Sequence, residues 1–151
     1  GRPAVHLRRC RLARLRATAG SPPPAAAPTA HATDALITRL EQQLTTDQPF
    51  PTNDLQTIVT HFADSRGMAR LTLVQLLGRA AAADGDTFRA ATAALLSALD
   101  ASPNPTVRRS CAKALAHMRA AEATPALIDT LLNDDDQVTR SSAAGALAKM
   151  G

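Results

Sequence analysis

Few side chains in this chain sit at spacings that support chemistry. The acidic run Asp134, Asp135, Asp136 invites a calcium ion, but it lacks the alternating ligand order and terminal Glu of an EF-hand loop. It reads instead as a turn that caps a helix, because carboxylates at a helix N-terminus complement the macrodipole. His6, His31, His61 and His117 are too far apart for a metal-ligand set. His61, beside Phe62, reads as a packing residue, and His117 as an exposed one. Cys10 and Cys111 form neither a CxxC pair nor a disulfide framework and read as reduced thiols. Cys10 sits among arginines that favour its thiolate, with no resolving thiol beside it. The seven glycines are scattered, so no GxGxxG or GxxxxGK loop exists to cradle a phosphate. No serine stands in a nucleophile elbow. The expectation is a non-catalytic chain without cofactor or metal.

The elements that carry these side chains are helical, and they repeat. Leu95 to Met118 can be laid on Leu127 to Met150 at a fixed offset of 32 residues. Leu95, Leu96 and Leu99 fall on Leu127, Ile128 and Leu131, and Arg108, Ala112, Leu115 and Met118 fall on Arg140, Ala144, Leu147 and Met150. Cys111 falls on Ala143, which makes it a small core residue. A weaker copy upstream matches Arg70 and Leu77 to Arg108 and Leu115 at an offset of 38, the extra six residues falling within Ala80 to Asp86. Self-similarity at this period predicts an all-α solenoid of about three helical hairpins.

Helix punctuation sets the boundaries. Thr33 or Asp34 is expected to cap a first helix through Leu36, Ile37, Leu40 and Leu44, which Pro49 and Pro51 end. Thr52, Asn53 and Asp54 offer the cap for Leu55, Ile58, Val59 and Phe62. A third helix runs through Met68 to Leu77, and Thr87 starts a fourth over Phe88 to Leu99. Asn104 before Pro105 is an N-cap with proline at the first helical position, and Asp136 takes the capping place 32 residues later. Thr124 before Pro125 is read in the same way for a helix over Ala126 to Leu132.

Charge divides the chain at the edge of this domain. Six arginines and no acid lie in residues 1–32, a charge of +6, whereas residues 33–151 hold 11 basic and 13 acidic side chains, a charge of −2. The expected organisation is a tail and linker over 1–32 and a globular solenoid over 33–151. Residues 1–20 are Arg-rich, Ala-rich and free of acids, the composition of an organelle transit peptide. Arg14 to Ala19 resembles the surroundings of chloroplast processing sites, and a mitochondrial address is the alternative. Read as a partner-binding arm instead, the tail would make its contacts through Arg8, Arg9, Arg11, Arg14 and Arg16. Pro22, Pro23 and Pro24 make the linker an extended spacer. No run of eighteen apolar residues is free of charge, so no membrane-spanning helix is expected.

The segment from Thr124 through Asp134, Asp135 and Asp136 to Arg140, Leu147 and Gly151 resembles HEAT repeats, in particular the short HEAT-like repeats of phycobilin lyases and related cyanobacterial and plastid proteins. The resemblance is strong over residues 88–151, moderate over 52–80 and absent before 33. It implies that an acid or amide between paired helices and an Arg early in the second helix bridge adjacent units, here Asn104 with Arg108 and Asp136 with Arg140, and upstream Asp64 with Arg70.

Resemblance and composition together imply a scaffold that holds protein partners within a larger assembly, with a plastid pigment–protein complex as the setting and a bilin lyase or tetrapyrrole-handling chaperone as the alternative. Against the alternative stands an aromatic content of 2%, with neither Trp nor Tyr to wall a tetrapyrrole site. Nucleic-acid binding is disfavoured by the net acidity of residues 33–151 and the lack of interleaved aromatics for base stacking.

Overall fold

The computed structural model describes residues 28–46, 48, 50–64 and 66–151. Among them are seven α-helices, one short 3-10 turn at Ala121–Ala123, and no strand. The helices are α1 (Ala30–Thr45), α2 (Asn53–His61), α3 (Gly67–Ala83), α4 (Gly85–Ala101), α5 (Pro105–His117), α6 (Thr124–Asn133) and α7 (Gln137–Met150). None is long and apolar enough to cross a membrane.

The helices form two rows. In the odd row α1 packs on α3, α3 on α5 and α5 on α7. In the even row α2 packs on α4, while α4 lies against α3 and α5 and α6 lies against α7. Hairpins α2–α3, α4–α5 and α6–α7 are the repeating units, as the 32- and 38-residue offsets predict. The additional helix α1 stands at the start of the odd row.

The core lies between the rows. Leu40, Ile58, Phe62, Leu73, Leu77, Leu95, Leu99, Leu115 and Leu127 are fully buried there. Many of the buried residues of α5 and α7, which pack on each other, are small: Cys111, Ala112, Ala114, Ala143 and Ala146. Small side chains let helix axes approach closely, which is how a chain almost free of aromatics closes its interior. Cys111 is the core residue expected, and burial pushes its thiol pKa up. The last hairpin is less covered than its copy. Leu99 is buried but Leu131 only half-buried, and Ile128 is 44% exposed where Leu96 is half-buried.

Several boundaries differ from the sequence expectation. The first helix begins at Ala30, with the Thr29 side chain accepting the Ala32 amide at 3.2 Å. Thr33, expected to cap, is instead buried inside the helix, and Asp34 pairs with Arg66 at 2.7 Å. Helix α4 starts at Gly85 rather than Thr87, because Asp84 caps it by accepting the Thr87 amide at 3.0 Å. Thr124 is not a cap but the first residue of α6, and the preceding Ala121–Ala123 turn delivers the chain to it. The six-residue insertion is taken up as helix: α3 and α4 each have 17 residues, against 13 in α5 and 10 in α6.

Candidate interaction surface and the ladder beneath it

The fourth residue of each odd-row helix sits at the crossing between units. In α3, α5 and α7 it is Arg70, Arg108 and Arg140, and in α1 it is Thr33. Each arginine reaches back over its own turn and donates Nη1 to the carbonyl six residues earlier: Arg70 to Asp64, Arg108 to Ser102 at 2.9 Å, and Arg140 to Asp134 at 2.7 Å. The side chain of that earlier residue in turn accepts the amide two residues on. Asp64 takes Arg66 at 2.8 Å, Ser102 takes Asn104 at 3.3 Å, and Asp134 takes Asp136 at 2.9 Å. The same turn is therefore built three times from different residues.

Arg108 then crosses to the next unit. Its Nε and Nη2 each donate at 3.0 Å to the two oxygens of Asp134, and Nη2 also donates to Asp135 at 2.8 Å. Arg108 and Asp134 are each only 3% exposed. A bidentate geometry with four of the five guanidinium N–H groups bonded goes far toward offsetting the desolvation of a buried ion pair.

This corrects the expected bridges. Asn104 and Asp136 do not pair with Arg108 and Arg140. They are N-caps, Asn104 accepting the Thr106 amide at 2.9 Å and Asp136 the Thr139 amide at 2.8 Å. An N-cap side chain turns toward the amides of its own first turn, and the Asp136 carboxylate reaches across the units only to Arg109, whose Nε lies 3.6 Å away. The acid that Arg108 grips is Asp134, two residues upstream. The Thr139 hydroxyl, then its amide, holds the Asp136 carboxyl below the usual carboxylate range against the effect of burial. At the upstream turn Asp64 is buried beside Arg66, and Arg70, the expected partner, bonds its carbonyl rather than its carboxylate. One Asp64 oxygen, Oδ2, has no hydrogen-bond partner among the described residues.

Above this ladder the odd row presents a trough. It follows α7 from Val138 to Lys149, is walled by Lys113, Ala116 and His117 of α5, and reaches Leu71 and Val74 of α3. Its volume is about 420 Å3. Leu71 and Val138 are 47% and 52% exposed at its edges, whereas Val74, Ala116 and Ala146 are buried in its floor. His117, exposed as expected, brings Nδ1 to 3.4 Å from Lys149 Nζ. On its other side it lies over Gly78, where a Cβ would stand 2.5 Å from its ring.

Charge is sorted between the rows over the three hairpins, though not in α1, which holds Asp34 and Glu41 with Arg39. Helices α3, α5 and α7 hold Arg70, Arg79, Arg108, Arg109, Lys113, Arg140 and Lys149 and no acid at all. Helices α2, α4 and α6 hold Asp54, Asp86, Asp100 and Asp129 against the single cation Arg89. Whole-domain net charge conceals this division, and a helix-by-helix count in the sequence would have exposed it. Leu71, Val138, Lys113 and Lys149 are accordingly surface residues that sequence reasoning did not single out.

The arginines Arg8, Arg9, Arg11, Arg14 and Arg16 and the thiol of Cys10 lie outside the described residues. Among the described residues no three His, Cys, Asp or Glu side chains converge as a metal site would require. His61 is buried, its Nδ1 2.8 Å from the Thr33 hydroxyl, a packing role as read from the sequence.

No curated protein and no solved structure matches the chain. A family model described as HEAT repeats matches residues 55–151, the span that holds the three hairpins and their arginine ladder. With close to two thirds of its length so matched, the chain belongs to the HEAT-repeat family.

Proposed function

We propose that the chain is a non-catalytic scaffold subunit that holds a protein partner on the α3/α5/α7 face, with the tail arginines Arg8, Arg9, Arg11, Arg14 and Arg16 as a second contact. The observation that carries this reading is the trough itself. It combines exposed Leu71 and Val138 with buried apolar floor residues on a rigid row of helices. Solenoid rows of this kind expose extended surfaces rather than enclosed pockets. Two contacts joined by a Pro-rich spacer raise effective concentration and hold a subunit in a large assembly.

The setting we propose is a plastid pigment–protein complex. The transit-peptide composition of residues 1–20 and the resemblance of the repeats to those of phycobilin lyases support that setting. Photo-crosslinkers placed at Leu71 and Val138, with controls at exposed Gln56 and Ala93 of the even row, test the docking face in chloroplast extract. Adducts with one protein from the first pair and none from the second are expected. Adducts from the even row alone would overturn the assignment of the face. An absorbance shift on adding phycobilin to the purified chain would favour tetrapyrrole handling instead.

A further inference from the structure

We infer that the occupant of the trough is an acidic amphipathic helix about three turns long; this rests on the docking face proposed above and names the chemistry it selects.

The length follows from the lining. The trough runs beside α7 from Val138 to Lys149, eleven helical steps, and at ~1.5 Å per residue that is roughly 16 Å, the length of an eleven-residue helix. An extended strand would leave its backbone amides facing apolar side chains, and none of the lining residues offers an edge for it to pair with. A helix satisfies its own backbone and needs only a side-chain stripe, with apolar residues at three- and four-residue spacing to meet Leu71 and Val138.

The sign of the partner follows from the cations. Lys113, His117 and Lys149 rim the trough, and no acid lines it. His117 and Lys149 approach to 3.4 Å with no carboxylate bonded to either among the described residues. The ammonium groups of Lys113 and Lys149, neither ion-paired among the described residues, are met by carboxylates brought by a ligand, which steer encounter and fix register. A phosphate backbone would use those cations but would gain nothing from the apolar floor, and the lining has no Phe, Tyr or Trp on which a base could stack. Protein is thereby favoured over nucleic acid.

The test uses the full chain and a synthetic fourteen-residue helical peptide with leucine along one stripe and glutamate on both flanks. Fluorescence anisotropy should show saturable binding that weakens as salt is raised. The triple variant Lys113→Glu, His117→Glu, Lys149→Glu should bind roughly a hundredfold less tightly, and Val138→Asp about tenfold less, both with unchanged helical circular dichroism. Neutralising Arg8, Arg9, Arg11, Arg14 and Arg16 to Ser should leave the affinity unchanged, which separates the trough from the tail. Equal binding of a lysine-flanked peptide, of polyglutamate without leucine, or tighter binding of single-stranded DNA would overturn the inference. If the peptide fails while the Leu71 and Val138 crosslinks persist, the acidic-helix class falls and the docking face stands. If both fail, both fall.

Discussion

Arg108 grips both carboxylate oxygens of Asp134 across 26 residues of chain, and the two side chains are 4% and 0% exposed. One guanidinium thus ties the turn of its own unit, through Ser102, to the turn of the next. Its neighbours in the ladder do less. Arg70 faces a unit whose equivalent turn residue is Ser102, with no carboxylate, and the structural place of Arg108 in the first odd-row helix is taken by Thr33. Among the described residues, the α4–α5 to α6–α7 junction is therefore the one where an ion pair is buried between repeats.

Breaking that pair from one side should be costly. Arg108→Met leaves a buried carboxylate without its partner and Asp134→Asn leaves Arg108 only the exposed Asp135, so each is expected to destabilise, by about 3–5 kcal/mol for the first and less for the second, in urea unfolding. The double variant Arg108→Met, Asp134→Leu removes both charges and should recover most of the loss. Additive single losses in that cycle would show that the pair is not coupled.

The missing carboxylate can be supplied. Ser102→Asp puts an acid where Asp64 and Asp134 stand in the other turns, able to accept the Asn104 amide as they accept theirs. Arg70 is half-exposed, so the expected gain is modest, about 0.5–1 kcal/mol. A rise in thermal midpoint of a few degrees is the readout, and a fall would mean that the first junction does not share the geometry of the second.

Helix identity and repeat period were legible because apolar spacing and prolines act locally. Leu95 and Leu127 stand 32 residues apart in matching apolar patterns, and both are fully buried. The bridging acid was not legible. In Asp134, Asp135, Asp136 three identical side chains compete for two jobs, capping and bridging, and only the direction of the chain at the turn decides which does which. Thr29 was missed as a cap because Thr33 and Asp34 are equally good capping types, and packing against His61 selected the earlier residue. The sorting of charge between rows was hidden by averaging over helices that end up on opposite sides.

The turn after α5 carries a strain that the repeat itself shows how to relieve. Arg119 has φ of 54°, a left-handed conformation that costs a non-glycine residue energy. It closes a Schellman motif in which Arg119 N–H donates to Ala116 O at 3.0 Å and Ala120 N–H to Leu115 O at 3.1 Å. The residue 32 positions later is Gly151. Arg119→Gly should stabilise by about 0.5–1 kcal/mol, and Arg119→Val should destabilise by more. Equal stability of the two variants in chemical unfolding would refute the strain.

Acid should loosen the first hairpin before the rest. Burial lowers the His61 pKa below its unfolded value of 6.5, against the pull of the Asp64 charge. As pH falls through 6.5 the unfolded chain takes up its proton first, so stability is present above that value and is lost progressively until the folded pKa is passed. Asp64 acts in the same direction at lower pH: the Arg66 amide, outweighing burial, holds its carboxyl below 3.8, so its contribution is lost as pH falls below that value. Two acid limbs are therefore expected in a plot of unfolding free energy against pH. His61→Gln should flatten the upper limb and spare the lower, whereas Asp64→Asn should do the reverse at some cost at neutral pH. An upper limb that survives His61→Gln would assign it to another group and remove His61 from the acid response of the α1–α2 contact.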